Sequence, residues 1–416
     1  MKLLIFLLFI MLSCSRNEGQ NCPAPPPPEK CPVCEMPVPK RIDPPKPAKV
    51  VRPAYNCSLD AVLRSKEAEQ HLHGVYNISF EGKPTKIKTS KGFSRITSRP
   101  LLYDGFLYFG DHRGIFSCME VTTKGLKKKW EFKTGDKIWS DAALSTDAKT
   151  IYFGSDDDTL YALETLTGKL KWSIKPWECK KTKGANPEKV RCDIDGSIHV
   201  DIYGNIFAGG KGIIAVSPDG KELYRFDVDS HVRGGITSDS AGNLFFASLG
   251  GGIYSLDKHG KQRWLAGIRG QCDSKPLLAG CLVITGCDDN AVHALRRDDG
   301  KLVWKLIADE DFRHSGAFDG EKVYWGGADH YLYAMDLKGK IVWRYRTSGR
   351  ILNGPSIMKN NDIVFGSEDR HIYCLDADGK LKWNIKLDDI PDTPVVISEK
   401  ELITGTYGGK ILRITK

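Results

Sequence analysis

Short apolar stretches alternate with polar turns through most of the chain, and residues 351–385 show this pattern most clearly. An apolar stretch around Ile357 is followed by residues 363–365, then by residues 372–375 and finally by residues 381–385. Polar or glycine-containing turns separate the four stretches. Runs of this length between turn residues are typical of β-strands, and none of these windows has the 3.6-residue period of a helix. The unit therefore predicts four short antiparallel strands.

The same unit recurs along the chain. The phrase LYALETLTGKLKW at residues 160–172 returns as LYAMDLKGKIVW at 332–343 and as IYCLDADGKLKW at 372–383. The aromatic residue that closes each phrase recurs about every 40 residues, a period that excludes the shorter helical and leucine-rich repeats. These aromatic residues are Trp130, Trp172, Tyr224, Trp264, Trp304, Trp343 and Trp383.

Eight units are present, because eight apolar segments occupy the second-strand position: residues 108–110, 152–154, 206–208, 244–246, 283–285, 323–325, 363–365 and 402–404. Four antiparallel strands in each of many regular units are typical of propeller blades. The last unit, residues 394–416, ends after its third strand. Residues 85–89 would supply the missing outer strand, with Ile87 in the position of the tryptophan, and would remove an exposed sheet edge. We therefore predict an all-β fold, an eight-bladed β-propeller over residues 75–416 whose closing blade is shared by N-terminal and C-terminal strands.

The N-terminus begins MKLLIFLLFIMLSC, one lysine followed by an apolar run too short to span a bilayer. This is typical of an export signal, which we place at residues 1–13. The four residues that end at Cys14 resemble a bacterial lipobox, which implies cleavage before Cys14 and acylation of that residue. Two or more acyl chains would anchor the protein stably to a membrane. The alternative is an ordinary secretory peptide in which Cys14 has no role.

Residues 14–57 are rich in proline and predict a semi-rigid tether. Residues 58–74 have a serine cap and apolar residues at helical spacing, so we expect a short helical lead-in. Within the tether, Cys31 and Cys34 are spaced as zinc ligands can be. Disulfides or unpaired surface cysteines are the simpler interpretation, because an exported chain is in an oxidising compartment.

Two cysteine pairs inside the repeats predict disulfides. Cys272 and Cys287 are placed symmetrically about a hairpin that we expect near residues 279–280. Cys179 and Cys192 flank the insertion that lengthens one repeat. Cys118 and Cys374 fall in third strands, where we expect small buried apolar side chains.

Charge adds one candidate site. The formal net charge is +9, but lysine is spread along the whole chain, which favours a solvated basic surface and no nucleic-acid partner. Arg191, Arg233 and Arg313 occupy the same position before the innermost strand of three units. They would surround one mouth of the central channel, either as a site for an anion or acidic peptide or as ion pairs between neighbouring blades.

The phrase at residues 154–172, with weaker copies at 286–304 and 326–343, resembles the PQQ-like repeat of quinoprotein dehydrogenases and their non-enzymatic relatives. The resemblance covers about residues 84–416. It implies that the tryptophan of each outer strand docks against the next blade, a role for Trp130, Trp172, Trp264, Trp304, Trp343 and Trp383.

A place in the enzymatic branch would imply that the central channel binds pyrroloquinoline quinone and calcium. This chain has no adjacent Cys-Cys pair, and its repeated acids lie at turns, where aspartate is favoured by turn hydrogen bonding. These acids are Asp156, Asp157, Asp288, Asp289, Asp329, Glu368 and Asp369. The chain is more similar to the non-enzymatic branch, the BamB-like lipoproteins, which implies a lipid-anchored scaffold at the outer membrane, facing the periplasm or the cell surface. On that resemblance we expect a monomeric propeller without catalytic residues, metal or cofactor, whose partners are envelope proteins such as the barrel-assembly machinery. The alternatives are an exported PQQ-like repeat lipoprotein with another partner and a periplasmic quinoprotein dehydrogenase.

Overall fold

The computed structural model describes Tyr76, residues 78–179 and residues 192–416, all within one compact unit. The signal peptide, Cys14, the tether with Cys31 and Cys34, the helical lead-in and Arg191 lie outside the described residues. The described part contains strands and no helix, and hence no helix that could cross a membrane.

The strands form eight four-stranded antiparallel sheets, which confirms the all-β, eight-bladed propeller. We number the blades 1 to 8 in chain order. The inner strands are Leu101–Tyr103, Ala143–Leu144, His199–Val200, Ile236–Ser238, Leu277–Ala279, Ala317–Phe318, Ser356–Ile357 and Val396–Ile397. The second strands are Phe106–Gly110, Thr150–Ser155, Ile206–Gly209, Leu244–Ala247, Leu282–Cys287, Lys322–Gly326, Ile363–Ser367 and Leu402–Gly405. The third strands are Ile115–Val121, Thr159–Glu164, Gly212–Val216, Gly252–Leu256, Ala291–Arg296, Tyr331–Asp336, His371–Leu375 and Ile411–Thr415. The outer strands are Leu126–Lys133, Leu170–Ile174, Glu222–Asp227, Gln262–Gly267, Leu302–Ile307, Ile341–Arg346, Leu381–Lys386 and, for blade 8, Lys86–Ser90.

Blade 8 is closed by both ends of the described chain. Lys86–Ser90 pairs antiparallel with Ile411–Thr415, and Ile87 lies opposite Ile414. This confirms the predicted N-terminal strand. Just upstream, the chain follows the inner strand of blade 7: the Tyr76 N–H donates to the Ile357 carbonyl and the Lys359 N–H donates to the Ile78 carbonyl. Donors and acceptors that advance together along both segments indicate a parallel pairing.

The outer-strand tryptophans join neighbouring blades. The indole Nε1 of each of five tryptophans donates a hydrogen bond of 3.0 or 3.1 Å to a backbone carbonyl in the turn between the third and outer strands of the next blade. The pairs are Trp130–Thr165, Trp172–Pro218, Trp264–Arg297, Trp304–Leu337 and Trp343–Ala377. Each ring also lies over a glycine of that turn. At Gly300, where φ is +71°, a Cβ would come within 2.6 Å of the Trp264 ring.

Trp383 has a different environment. In blade 8 the third and outer strands come from opposite ends of the chain, so no turn connects them there. Trp383 instead packs in an apolar cluster with Phe80, Met358 and Val395. The N-terminal segment therefore contributes apolar contacts at the closure.

In each of these blades a small residue on the third strand lies opposite the aromatic residue of the outer strand. The strand pairing shifts register immediately after this small residue. The pairs are Cys118–Trp130, Ala162–Trp172, Ala215–Tyr224, Ser255–Trp264, Ala294–Trp304, Ala334–Trp343 and Cys374–Trp383. A register shift of this kind is a β-bulge, which increases the local twist. Cys118 and Cys374 are thus the small residues of their blades; both are buried and unoxidised, and burial raises the pKa of the Cys118 thiol to about 11.

The structure joins both cysteine pairs, with Cα–Cα distances of 5.9 Å for Cys179–Cys192 and 4.3 Å for Cys272–Cys287. The hairpin of blade 5 turns between Ala279 and Leu282, so its axis lies one residue beyond the expected position. Cys272 therefore reaches Cys287 from the loop before the inner strand and not from a paired strand position.

Candidate functional site

The loops that connect each outer strand to the next inner strand form one mouth of the central channel, together with the turns between second and third strands. We call this the upper mouth. Arg233 and Arg313 both lie in such loops, before the inner strands of blades 4 and 6. These are two of the three arginines that the sequence places there.

Both arginines contact carboxylates. Arg233 Nε lies 3.5 Å from Asp195 Oδ2, and its Nη1 lies 3.8 Å from Asp273 Oδ2. Asp195 precedes blade 3 and Asp273 precedes blade 5, so Arg233 connects three consecutive loops. Arg313 donates from Nε to Asp311 at 2.6 Å and lies 3.7 Å from Asp288 in blade 5. The contacts of Arg233 and the Arg313–Asp288 pair join neighbouring blades, as in the second interpretation of the sequence, whereas the Arg313–Asp311 pair lies within one loop.

Arg95 also belongs to the mouth, although the sequence pattern did not single it out. Its Nε and Nη2 donate to Asp392 at 2.6 and 3.2 Å, which links the loops before blades 1 and 8. The guanidinium lies 4.2 Å from the centre of the Tyr407 ring and 5.7 Å from the centre of the Trp139 ring. Arg95 lies two residues before the position that Arg233 and Arg313 occupy in their blades, so a comparison of spacings did not find it.

Trp139 is the aromatic centre of this mouth. The Arg233 guanidinium carbon lies 5.5 Å from the centre of the Trp139 ring, and the centre of the His112 ring lies 4.1 Å from it. Burial, with the charges of Arg95 and Lys137, lowers the pKa of His112 to about 4, so this imidazole is neutral at physiological pH. The half-buried indole is thus surrounded by two cations and a neutral histidine.

Acidic groups of the mouth form one cluster that has the donors for a cation. Asp156, Asp193 and Asp195 each bring a carboxylate oxygen within 4.8 Å of the others, and oxygen ligands are those that Ca²⁺ prefers. Burial, followed by repulsion from Asp195 and Asp193, raises the pKa of Asp156 to about 7. Asp195 already has a partner, since His231 Nε2 lies 2.6 Å from its Oδ1. A second group of donors, Cys287 with Asp289 and His293, lacks a thiolate because Cys287 is in a disulfide.

Below the mouth, the positions two residues before each inner strand form a ring around the channel. We call it the channel ring: Arg99, Asp141, Ser197, Gly234, Lys275, Ser315, Gly354 and Pro394. Asp141 accepts from the Arg99 backbone N–H at 2.6 Å and from the Ser197 hydroxyl at 3.0 Å. Burial lowers the pKa of Lys275 to about 8, although Asp141 acts in the opposite direction.

The opposite face of the propeller carries a cavity of about 420 Å³ between blades 1 and 2. Its aromatic walls are Tyr103, Phe106 and Tyr108, and Leu166 lies at its edge. Large apolar side chains on neighbouring turns of this face are exposed: Tyr103, Leu166, Ile202 and Tyr203. We call these four residues the lower apolar face. Exposed apolar groups that cluster in this way mark interaction surfaces in soluble proteins.

The sequence model of the family described as outer membrane protein assembly factor BamB matches residues 77–174, 210–312 and 288–414, which is more than half of the chain. The chain belongs to this family. Two curated relatives carry the same description. The protein of Burkholderia pseudomallei (strain K96243) is 35% identical over 86 residues, which are 20% of this chain and 22% of that protein. The protein of Yersinia pestis is 23% identical over 181 residues, 38% of this chain and 45% of that protein. The matched segments thus span less than half of either relative.

Solved structures share the fold at low identity. BamB from Moraxella catarrhalis superposes with a TM-score of 0.63 at 13% identity, over 80% of this chain and all of that one. The designed protein Ika8 gives a TM-score of 0.65 at 14% identity, over 83% and 99% of the two chains. Quinohemoprotein alcohol dehydrogenase from Comamonas testosteroni gives 0.66 at 11% identity, over 85% and 84%. A propeller shared by an assembly factor, a design and an enzyme carries no function by itself.

Proposed function

We propose that the protein is an exported, membrane-anchored propeller scaffold that takes part in assembling β-barrel proteins of the outer membrane. The observation that carries this proposal is the family match, which extends over seven of the eight blades and into the closing strand. The predicted export signal and the acylation of Cys14 would hold the propeller at a membrane.

The lower apolar face is the surface on which we expect a protein of the barrel-assembly machinery to dock. Its side chains come from turns of blades 1 to 3, and Leu166 is 77% exposed and Ile202 67% exposed. Buried apolar side chains of this size contribute about 1.5–3 kcal/mol each when a partner covers them. The cavity beside Leu166 offers aromatic walls for an apolar side chain of that partner.

The test is affinity capture of the tagged full chain from its native membranes, with the captured proteins identified by mass spectrometry. We expect barrel-assembly proteins to co-purify, and deletion of the gene to lower the amounts of outer-membrane β-barrels. Leu166→Asp combined with Ile202→Asp should abolish the capture. Leu265→Asp is the matched control, because Leu265 is half-exposed on the outer strand of blade 4, away from that face. Capture without any barrel-assembly protein, with normal β-barrel levels after deletion, would overturn the proposal.

The dehydrogenase alternative has its own experiment. The purified full chain is mixed with pyrroloquinoline quinone and calcium, and the reduction of an artificial electron acceptor is followed with small alcohols as substrates. We expect no reduction above the rate without protein. Turnover that depends on both additions would instead assign the protein to the enzymatic branch.

A further inference from the structure

The channel ring is uneven in charge and in size. Three of its residues are charged: Arg99, Asp141 and Lys275. The other five are serine, glycine or proline, which carry small side chains or none. The charged residues come from blades 1, 2 and 5, so only the folded propeller brings them into one ring.

The single acid of the ring does not pair with the side chain of either cation. Asp141 Oδ1 accepts from the backbone N–H of Arg99, and Oδ2 accepts from the Ser197 hydroxyl. Both donors are neutral, and they hold the carboxylate against the wall of blades 1 and 3. Asp141 therefore reaches the cations only through its longer-range field.

The two cationic groups have no hydrogen-bonding acceptor among residues 78–179 and 192–416 or at Tyr76. Arg99 Nε is buried and makes no hydrogen bond to any described residue. A Cβ on Gly354 of blade 7 would lie 3.9 Å from Arg99 Nη2, so the guanidinium extends from blade 1 past blade 8. The Lys275 ammonium likewise makes no ion pair in the described structure, where Asp141 and Arg99 act on it only at longer range.

Two groups beside the ring, His199 and Tyr76, do not supply a counter-charge. His199 lies near Lys275 and bonds Ser238 at 2.7 Å; burial first, and then the charge of Lys275, lowers its pKa to about 3, which keeps it neutral. Tyr76 borders the ring from the N-terminal segment, where its phenol interacts with the Ile397 backbone and the Ser356 side chain. Burial raises the pKa of Tyr76, so it too is uncharged at neutral pH.

An unpaired cation inside a protein costs free energy, because it loses bound water and gains few other partners. Two such cations close enough for the charge of Arg99 to act on Lys275 are commonly offset by a bound anion. A guanidinium presents a planar fork of donors that fits two oxygens of one group, and an ammonium adds a point charge. Carboxylate and phosphate oxygens have the geometry that this pair of donors recognises.

We propose that the channel ring binds a small anion with carboxylate or phosphate oxygens, held between Arg99 and Lys275 above Tyr76. The side chains of Arg99 and Lys275 contact the anion directly. Ser315 and Gly354 border it on the open side of the ring. This site is separate from the upper mouth, whose arginines already have carboxylate partners, and it does not rest on the proposed assembly function.

The test is isothermal titration calorimetry on the detergent-solubilised full chain with two probes, inorganic phosphate and succinate. Sodium chloride at the same ionic strength is the reference. We expect saturable binding of at least one probe. Lys275→Met and Arg99→Met should each weaken its Kd about tenfold or more, the change that about 1.4 kcal/mol produces. Lys338→Met, at an exposed turn of blade 6, is the matched control and should leave the Kd unchanged.

The outcomes are distinct. Binding of phosphate alone, of succinate alone or of both supports the site and states which oxygens it accepts. Lys275→Arg keeps a cation and should retain binding, which separates the loss of charge from a loss of fold, as checked by circular dichroism. The absence of saturable binding by both probes overturns the proposal. So does binding that is unchanged in both Lys275→Met and Arg99→Met, because the anion would then lie elsewhere on the surface.

Discussion

At the scale of single residues, the outer-strand tryptophans combine two kinds of contact in one side chain. Trp304 is 1% exposed, packs over Gly339 of the next blade and donates to the Leu337 carbonyl. The burial of the ring supplies most of the free energy, and the indole hydrogen bond satisfies a group that would otherwise be buried without an acceptor. Each such residue therefore stabilises its own blade and the next one.

Two replacements of this side chain should lower the free energy of unfolding by different amounts. Trp304→Phe keeps an aromatic ring but loses the hydrogen bond, for which we expect a loss of about 1–2 kcal/mol. Trp304→Ala also leaves a cavity, for which we expect about 3–5 kcal/mol. Chemical denaturation measures both. Equal losses in the two variants would show that the ring contributes little to the contact between blades.

Lys275 predicts a pH dependence of stability. Its pKa in the folded protein is about 8, below the usual lysine value of 10.5, because burial disfavours the charged form. The folded state therefore carries a penalty below pH 8, and stability should rise as the pH increases from about 8 to about 10.5.

Lys275→Met removes this penalty. At pH 7 in buffers without phosphate or carboxylates, we expect the variant to be more stable than the parent by about 1–3 kcal/mol, and the difference should vanish above the unfolded pKa. Arg99 and Asp141 also act on this site, so Lys338→Met serves as the control for a change of net charge. Denaturation curves at several pH values provide the measurement. A constant difference between the two proteins at all pH values would contradict the lowered pKa.

At the scale of the element, the third strand and the outer strand of a blade form a matched pair. The residue opposite the aromatic side chain is alanine, serine or cysteine in seven blades, and a bulge follows it. A small side chain at that point leaves room for the ring, and the bulge turns the strand towards the neighbouring blade. Cys374 thus owes its position to its volume and not to the chemistry of its thiol.

Substitution at this position should depend on size. Cys374→Ala should change the free energy of unfolding by no more than about 1 kcal/mol, since it keeps a small side chain. Cys374→Leu should cost about 1–3 kcal/mol or more, because the larger side chain competes with the Trp383 ring. Thermal unfolding under reducing conditions compares the two variants. A large loss in Cys374→Ala alone would indicate that the thiol has a role of its own.

At the scale of the whole molecule, the ring is closed by one short strand. Ile87 packs at the edge of the cluster that holds Trp383 and Leu412, so its side chain connects the N-terminal strand to blade 7 and to the third strand of blade 8. The segment just before the closing strand places Tyr76 beside the inner strand of blade 7 and Phe80 in the apolar cluster with Met358 and Trp383. Closure and the composition of the channel are therefore coupled.

Ile87→Asp should weaken this closure. A charge in the apolar cluster costs its desolvation as well as the lost packing, and we expect a loss of about 2–4 kcal/mol. Thr89→Asp, an exposed position on the same strand, should have an effect within about 0.5 kcal/mol. Hydrogen exchange should show that the amides of Ile411–Thr415 lose protection in the first variant only. Equal protection in both variants would mean that the closing blade does not depend on Ile87.

Local sequence patterns predicted much of the fold. The number of blades, the order of strands and the shared closing blade all follow from a repeat that is readable along the chain, because every strand pairs with a neighbour close in sequence except at the closure. The closure itself was predictable from an unpaired third strand at one end and an extra strand at the other. In the hairpin of blade 5, the predicted turn was wrong by one residue. Turn geometry depends on the backbone conformation, which the symmetric placing of the two cysteines does not specify.

The amino-acid sequence by itself thus determined the propeller, the positions of its blade-joining tryptophans and the placing of arginines at one mouth of the channel. Tertiary structure alone decided which charged groups meet. Arg95 pairs with Asp392 and Arg233 pairs with Asp195 in the folded protein, and the repeat does not specify which side chains come within reach of one another. Arg99, Asp141 and Lys275 share a ring although they belong to separate repeats and no motif connects them. The physical reason is that strand pairing follows local periodicity, whereas electrostatic partnership in the channel depends on distances that exist only after eight blades have closed around one axis.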